Sequence, residues 1–509
     1  MRTATLLFLS VALIGSLGAV PLRAEIAEDQ VLVVYNSASA DGTALLAGYL
    51  AAHPDIPAAN VLDLNNTSLL VANLTQALFI TDIREPIRSY LAAPGAPQPE
   101  DIIAIVLLRP FPHRMFDTDN ALIGDNPSGS QTELLNGDAT YASIDAELVL
   151  LWQNLEAGEA GATMDSLSDN VIDNPYHQAN AAIDLFSRAS ITTSKTFINR
   201  SNVVWTLGGV GATRLGPGDM YLVCRIDGAT LADAQAVIER AQGIRVDHTA
   251  VRVILDEYDL SVGDDLDDDP LFPSSDPFLA GDDYEETRDL LVAAGWDVRY
   301  DDTFDFISGT EETTTLIAYA SYGENHDIDG AGENPPGTGT YIESFTFAAG
   351  AMFNTVESYN SRAFNGLGTL FGLEQVSDFI AAGGTFGAGY VFEPFTFTIA
   401  DNEFLFSNML VHRRCWAEAA YSAIPALSWQ HVVVGDPLGR IRLLGDIDDD
   451  GNVDLDDFTS FADCMAGPDA TPDPMPPTTV GDCLDSFDSD VDDDVDLSDF
   501  VDFSRVFTG

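Results

Sequence analysis

Basic residues are scarce in this chain. Only 22 of its 509 residues are Lys or Arg, and Lys195 is the single lysine, whereas 81 residues are Asp or Glu and the formal net charge is −59. A surface this acidic repels nucleic acids and anionic membranes, which argues against both as partners. The composition suits an exported protein in salty, calcium-containing surroundings, and it equally suits a protein whose charge serves solubility alone.

Long apolar runs are missing after the first residues. A basic start, an apolar run over residues 6–20 and the small residue Ala24 predict a secretory signal peptide over residues 1–24. No later run reaches the ~18 apolar residues that a membrane-spanning helix needs. We therefore expect a secreted, extracellular protein, free or held at a cell surface, without a membrane span.

Familiar catalytic signatures are absent, and cysteines are few. The sequence has no G-x-S-x-G elbow, no H-E-x-x-H pair and no P-loop. Cys464 and Cys483 lie on either side of a long linker, and we expect an exported protein to join them in a disulfide. Cys224 falls in a strand pattern and Cys415 in a helical one, so we expect both to be buried thiols and not nucleophiles.

The most informative stretch is a duplicated aspartate pattern in residues 445–509. Both copies place oxygens at loop positions 1, 3, 5, 7, 9 and 12, the spacing of an EF-hand-type calcium loop, in which position 7 contributes a backbone carbonyl. The first loop consists of Asp446, Asp448, Asp450, Asn452, Asp454 and Asp457. The second, 42 residues later, consists of Asp488, Asp490, Asp492, Asp494, Asp496 and Asp499. We predict that the two loops bind two calcium ions.

The flanks of the loops are duplicated as well. Phe458 and Phe461 follow the first loop at helical spacing, and Phe500 and Phe503 follow the second, so two short amphipathic helices can pack their aromatic faces together. An acidic disordered tail is the alternative interpretation of any charge run, but such a tail does not repeat its phenylalanines. Because the crowded carboxylates repel one another without metal, we expect folding and calcium binding to be coupled.

These residues resemble a type I dockerin, in which two loop–helix calcium repeats each end in Asp. The resemblance implies docking onto a cohesin-like protein, which tethers the chain to a scaffold or a cell surface. Two features depart from the family pattern. Position 6 of the second loop is Asp493, where glycine adopts a left-handed conformation more easily by ~1–2 kcal/mol. The linker at residues 467–482 is long and rich in proline.

Residues 25–440 alternate apolar runs with helical periodicity. The runs at 31–35 and 102–108 are typical of strands buried on both faces, and residues 230–241 form an amphipathic pattern capped by Thr230. The alternation predicts an α/β fold with mostly parallel, doubly wound sheets of the Rossmann or caspase kind. We predict a first α/β half at 25–260, an acidic boundary at 261–283 and a second half at 284–440, followed by the small helical module at 445–509.

Two loops of the second half carry candidate catalytic residues. His326 follows the apolar run at 315–320 and Ser358 follows the run at 351–356, and α/β sheets place their sites at the carboxyl ends of adjacent parallel strands. This arrangement is similar in topology to the caspase–gingipain fold, which implies a peptidase-like hydrolase with a cysteine nucleophile. No cysteine lies between Cys224 and Cys415, so we expect neighbouring strand ends without a working catalytic pair.

The α/β part also resembles an uncharacterised family of exported bacterial proteins. The shared segments lie at residues 31–37, 221–228, 389–394 and 429–438, and the third includes a carboxylate, Glu393, at a strand end. The leading interpretation is a secreted protein whose α/β domain has an unassigned activity and is tethered by the calcium module. A peptidase-like hydrolase and a component of polysaccharide degradation are the alternatives, the second because dockerins often carry such enzymes.

Overall fold

The apolar runs of the sequence form strands in the computed structural model of this chain. The structure describes residues 26–116, 141–152, 172–180, 182–183, 220–257, 283–303, 307, 309–323, 341–364, 374–392, 394, 398–449, 451–490 and 492–507. Several predictions lie outside the described residues, namely the signal peptide at 1–24, most of the acidic boundary at 261–283, His326, Glu393 and Asp450.

Seventeen strands are found in the described part of the chain. In chain order they are β1 Val31–Tyr35, β2 Val61–Asp63, β3 Asn73–Thr75, β4 Ala104–Leu108, β5 Arg114–Phe116, β6 Tyr141–Ser143, β7 Ile172–Asp173, β8 Leu222–Ile226, β9 Arg245–Val246, β10 Val251–Asp256, β11 Val298–Asp301, β12 Thr315–Ser321, β13 Phe347–Thr355, β14 Phe386–Tyr390, β15 Ala426–Leu427, β16 His431–Val434 and β17 Arg442–Leu443.

Helices alternate with the strands and then close the chain. The α-helices are α1 Ala40–Ala52, α2 Gln76–Phe79, α3 Glu85–Leu91, α4 Ile144–Val149, α5 Leu231–Arg240, α6 Tyr284–Ala293, α7 Val376–Ala381, α8 Asn402–Leu410, α9 Trp416–Ala423, α10 Leu455–Cys464, α11 Val480–Phe487 and α12 Leu497–Val506. A π-helical turn at Ile80–Arg84 joins α2 to α3, and short 3-10 turns lie at Glu28–Gln30, Ala58–Asn60, Thr67–Leu69, Pro99–Asp101 and Ile342–Ser344.

Ten of the strands form one sheet in the order β11-β10-β12-β13-β14-β16-β8-β4-β1-β2. Strands from both sides of the acidic segment at 261–282 join in it. All neighbours are parallel except β14 and β16, where Gly387 lies opposite Val434 and Tyr390 opposite His431 in an antiparallel register. The α/β fold and the mostly parallel sheet are therefore confirmed.

The antiparallel pair divides the sheet into two parallel sets that run in opposite directions. Strands β10 to β14 form one set, and β1, β2, β4, β8 and β16 form the other. The carboxyl ends of the two sets consequently lie at opposite edges of the sheet. The loops that follow β12 and β13 share one of these edges, because the two strands are neighbours with Ser321 opposite Thr355.

Local sequence explains where the helices begin. Thr230 caps α5 as predicted: its hydroxyl accepts a hydrogen bond from the Asp233 amide at 3.2 Å, and the Asp233 carboxylate accepts from the Thr230 amide at 2.7 Å. The central strands β4 and β8 are buried along their whole length, as their continuous apolar runs require. Among the described residues, no helix is long and apolar enough to cross a membrane.

Candidate functional site

The structure gathers the predicted calcium ligands into three carboxylate clusters. Within each cluster the ligand oxygens lie within 4.8 Å of one another. The first loop contributes Asp446, Asp448 and Asp457, and the second contributes Asp488, Asp490 and Asp492, together with Asp494, Asp496 and Asp499. Every side-chain donor in these clusters is a carboxylate oxygen, and hard oxygen ligands at this spacing fit calcium.

The turn at position 6 is the same in both loops. Gly451 has φ +94° and its amide donates to Asp446 Oδ2 at 3.0 Å. Asp493 has φ +69° and its amide donates to Asp488 Oδ2 at the same distance. The second loop therefore adopts the left-handed turn in spite of the missing glycine, and its position-1 carboxylate is oriented in the same way as in the first loop.

The carboxylate at position 12 closes each loop. Asp457 accepts hydrogen bonds from the amides of Ile447 and Asp454, both at 2.9 Å, and is almost completely buried. Asp499 accepts from the amides of Ser489 at 2.7 Å and of Asp496 at 2.8 Å. These bonds join the start of each loop to the first turn of the helix behind it, so the shape of the loop depends on one aspartate.

The position-9 residues have a second role as helix caps. Asp454 accepts from the Asp456 amide at the start of α10, and Asp496 accepts from the Ser498 amide at the start of α12. Asn452 was predicted to offer only its backbone carbonyl, and its side chain is exposed. For Asp494, also predicted as a backbone ligand, the side chain itself joins the second-loop clusters.

Without a bound cation, the crowded carboxylates of these loops are electrostatically unfavourable in their ionised form. Burial raises the pKa of Asp446 to about 7, although the Gly451 amide and the nearby guanidinium of Arg413 act in the opposite direction. Desolvation, followed by repulsion from Asp492, raises the pKa of Asp490. A divalent cation bound among these oxygens would offset their negative charge and lower the pKa of both carboxyls.

The helices behind the loops pack as predicted. The rings of Phe461 and Phe503 stack at a centroid distance of 4.9 Å, and Phe487 from α11 contacts Phe461 at 5.1 Å. The disulfide between Cys464 and Cys483 is confirmed, and it links α10 to α11. Cys224 and Cys415 are free and fully buried, which confirms that both are buried thiols.

The C-terminal module is fixed to the α/β domain by specific polar contacts. Strands β9 and β17 pair in parallel immediately before the first loop. Arg245 of β9 donates to the Asp446 carbonyl at 3.3 Å and to Ser486 Oγ at 3.2 Å. Arg505 of α12 lies 3.6 Å from the carboxylate of Asp247. The module is therefore held against the sheet domain and does not hang from a free linker.

Of the two candidate catalytic residues, the structure describes Ser358, and His326 lies outside the described residues. Ser358 lies just beyond β13 and is 7% exposed, and the described residues make no hydrogen bond to its hydroxyl. The prediction that the strands before His326 and Ser358 are neighbours is confirmed. The carboxylate next to Ser358, Glu357, is fully buried and accepts hydrogen bonds from the hydroxyls of Tyr341 at 2.9 Å and Thr355 at 3.0 Å.

The segments at residues 221–228 and 429–438 each contain a buried ion pair that sequence reasoning missed. In the segment at 221–228, Arg225 binds Asp145 through two hydrogen bonds of 3.1 and 2.7 Å. In the segment at 429–438, Asp436 lies 2.6 Å from His53 Nε2. Burial alone would lower the pKa of His53, but its hydrogen bond to Asp436 raises it. These pairs lie within the core, where they join distant parts of the chain.

Sequence reasoning also missed a group of basic residues beside the loop that follows β13. Arg114 from β5 and Arg362 from the loop after Ser358 both lie over the ring of Phe392, which follows β14. No spacing rule connects residues so far apart in the chain, and only the fold brings them together.

Comparison with known proteins gives no identification: no family model, no curated protein and no solved structure matches this chain.

Proposed function

We propose that this chain is an exported protein whose C-terminal module binds two calcium ions and attaches the α/β domain to a partner. The observation that carries the proposal is the equivalence of the two loops. Each has a left-handed residue at position 6, the same amide-to-carboxylate bond to position 1, and the same pair of bonds to position 12. A charged tail without a ligand has no need of two loops with the same backbone turn and the same amide-to-carboxylate bonds.

Calcium, when bound, supplies the positive charge that these crowded carboxylates require. The chain itself prepares the geometry. Backbone amides orient Asp446 and Asp488, while Asp457 and Asp499 hold the loop ends together. Because Arg245 binds the carbonyl of Asp446 and the hydroxyl of Ser486, the first loop also lies at the joint with the α/β domain.

The distribution of exposed apolar side chains supports a docking surface on the module. Eight of the eleven exposed large apolar side chains in the described residues lie in the module, although it is a small part of the chain. Leu455 and Leu497, the first residues of α10 and α12, are 66% and 70% exposed at equivalent positions of the two repeats. Exposed apolar groups at equivalent positions of two repeats are typical of a binding face. The resemblance to type I dockerins makes a cohesin-like domain the proposed partner.

Calorimetry on the full chain tests the metal proposal. Calcium titrated into chelator-treated protein should give a stoichiometry of two, and Asp457→Asn should reduce it to one. The exposed neighbour Asp456→Asn is the matched control and should keep two. A stoichiometry of zero in the unaltered protein would contradict the proposal.

Docking is tested separately with purified type I cohesin domains. The double variant Leu455→Ser, Leu497→Ser should lose binding while it keeps both calcium ions. Val292→Ser, which alters an exposed apolar residue of the α/β domain, is the control and should bind like the unaltered chain. Equal binding by all three proteins, or none to any cohesin, would contradict a docking role for this face.

A peptidase-like hydrolase is the second candidate for the α/β domain. It is supported by one observation, the adjacency of β12 and β13, whose carboxyl ends lead to His326 and Ser358. A fluorophosphonate probe should label the protein at Ser358 if this serine is activated, and Ser358→Ala should abolish the label. Ser361→Ala, which removes a fully buried hydroxyl three residues away, is the control. An unlabelled wild-type chain would contradict serine hydrolase chemistry.

A further inference from the structure

Several basic residues of this acidic protein lie together at one place in the described part of the α/β domain. His113 is fully buried with Arg114 beside it in sequence, and its Nε2–H donates to the carbonyl of Arg362 at 2.6 Å. The guanidinium of Arg225 lies 5.4 Å from the ring of Phe364, which also contacts the His113 ring. Three of the few arginines of the chain therefore surround one histidine.

The arginines differ in how their charge is balanced. Arg225 is fully paired, because Asp145 binds it bidentately. Arg114 is 3% exposed, its Nε is buried without a hydrogen-bond partner, and no carboxylate in the described ranges forms an ion pair with it. Burial, followed by repulsion from Arg362, lowers the pKa of Arg114 to about 10. A buried charge without a counterion is unfavourable, and a bound anion would remove that penalty.

The second guanidinium is fixed beside the first by the loop after β13. Tyr359 has φ +64°, and its amide donates to the Phe392 carbonyl at 2.9 Å, which turns the chain toward β14. Arg362 then lies 5.6 Å from the ring centroid of Phe392, while Arg114 lies 5.9 Å from the same centroid. Two like charges are thus held on one aromatic ring at the carboxyl ends of β13 and β14, where α/β sheets place their ligands.

The histidine in this cluster does not add to the positive charge. Burial, followed by the charges of Arg225 and other arginines, keeps the pKa of His113 well below its usual range, so the ring is neutral. Because Nε2 carries the proton that binds the Arg362 carbonyl, Nδ1 has the lone pair, and it is buried without a hydrogen-bond partner among the described residues. The cluster therefore offers one unpaired cation and one unpaired acceptor.

We infer that Arg114 and Arg362 bind the oxyanion group of a small ligand, a carboxylate or a sulfate, at the carboxyl ends of β13 and β14. Planar guanidinium groups bind such oxyanions through paired, charge-assisted hydrogen bonds. The Phe392 ring, over which both guanidinium groups lie, would offer an apolar surface to the group that carries the anion. This binding site belongs to the α/β domain and is independent of the calcium loops.

Calorimetric titration of sodium sulfate and of sodium acetate into the full calcium-loaded chain tests the inference, with sodium chloride adjusted to keep ionic strength constant. Heat of binding is the preferred readout because sulfate stabilises most proteins by exclusion from their surface. Saturable binding of one anion per chain is expected, and the two titrations distinguish a tetrahedral from a carboxylate ligand. Arg114→Met and Arg362→Met should each weaken that binding roughly tenfold or more.

Arg288→Met is the matched control, because Arg288 also lies over an aromatic ring, Tyr300, but belongs to helix α6 and not to this cluster. It should bind the anion like the unaltered chain. If Arg114→Met does not fold, the half-buried Arg362 decides the test against the same control. No saturable binding of either anion by the unaltered chain, or equal affinities in the arginine variants and the control, would overturn the inference.

Discussion

Replacing Asp457 by Asn perturbs the first calcium loop with the smallest change in shape. The buried carboxylate accepts one amide hydrogen bond on each oxygen, from Ile447 and from Asp454. Asn retains one acceptor oxygen and presents an NH₂ group to the other amide, so one of the two bonds is lost. The same substitution removes the position-12 charge that a calcium ion needs.

The magnitude depends on whether calcium is present. Without calcium, the lost bond to a charged acceptor costs about 2 kcal/mol of unfolding free energy, and relief of repulsion with Asp446 reduces that cost. With free calcium at about a thousand times the dissociation constant, an intact loop gains a further ~4 kcal/mol. Asp457→Asn should therefore destabilise the chain by about 6 kcal/mol in calcium and by at most about 2 kcal/mol in chelator.

Urea unfolding followed by the near-ultraviolet signal of the module measures both values. Asp456→Asn, on the next residue but exposed, should change stability by less than about 0.5 kcal/mol in either condition. An equal loss of stability in calcium and in chelator would contradict calcium binding by the first loop, because the loop would then serve only as a hydrogen-bonded turn.

Three further predictions concern the framework around the sites. Cys464→Ala, which removes the disulfide to Cys483, should lower the stability of the module by about 3 kcal/mol in denaturant titrations without reductant, and added reductant should abolish the difference. The pKa of His53 is raised by its hydrogen bond to Asp436. The pair therefore contributes stability below about pH 6.5, and this contribution is lost as the pH rises through the folded-state pKa of His53. In thermal melts, His53→Asn should lack this pH-dependent loss of stability. Arg225→Met leaves a buried carboxylate unpaired and should cost about 3–5 kcal/mol, measured by urea unfolding.

Much of the α/β domain could be predicted from the sequence because buried strands need continuous apolar runs. The run at 31–35 has the predicted bounds as strand β1. The direction of a strand could not be predicted in this way, because an apolar run has the same pattern in parallel and in antiparallel pairing. The reversal between β14 and β16 therefore could not be predicted, and neither could the opposite edges at which the two sets of strands end.

The calcium loops were predictable because all their ligands lie within one short stretch of chain. The helix α11 was missed inside the linker, although Thr479 and Asp482 form a capping box that marks its start. The arginine cluster could not be predicted at all. Arg114, Arg362 and Phe392 come from three separate elements, and their proximity depends on the sheet order.

A crystal structure of the full chain grown with calcium, with anomalous differences measured at a long wavelength, tests the central claim most directly. We expect two anomalous peaks, one in each loop, each 2.3–2.6 Å from the carboxylate oxygens of its loop. One peak would lie near Asp446 and Asp457, the other near Asp488 and Asp499. If neither loop holds a fully occupied calcium ion in crystals grown at millimolar calcium, the claim that this protein binds calcium is contradicted.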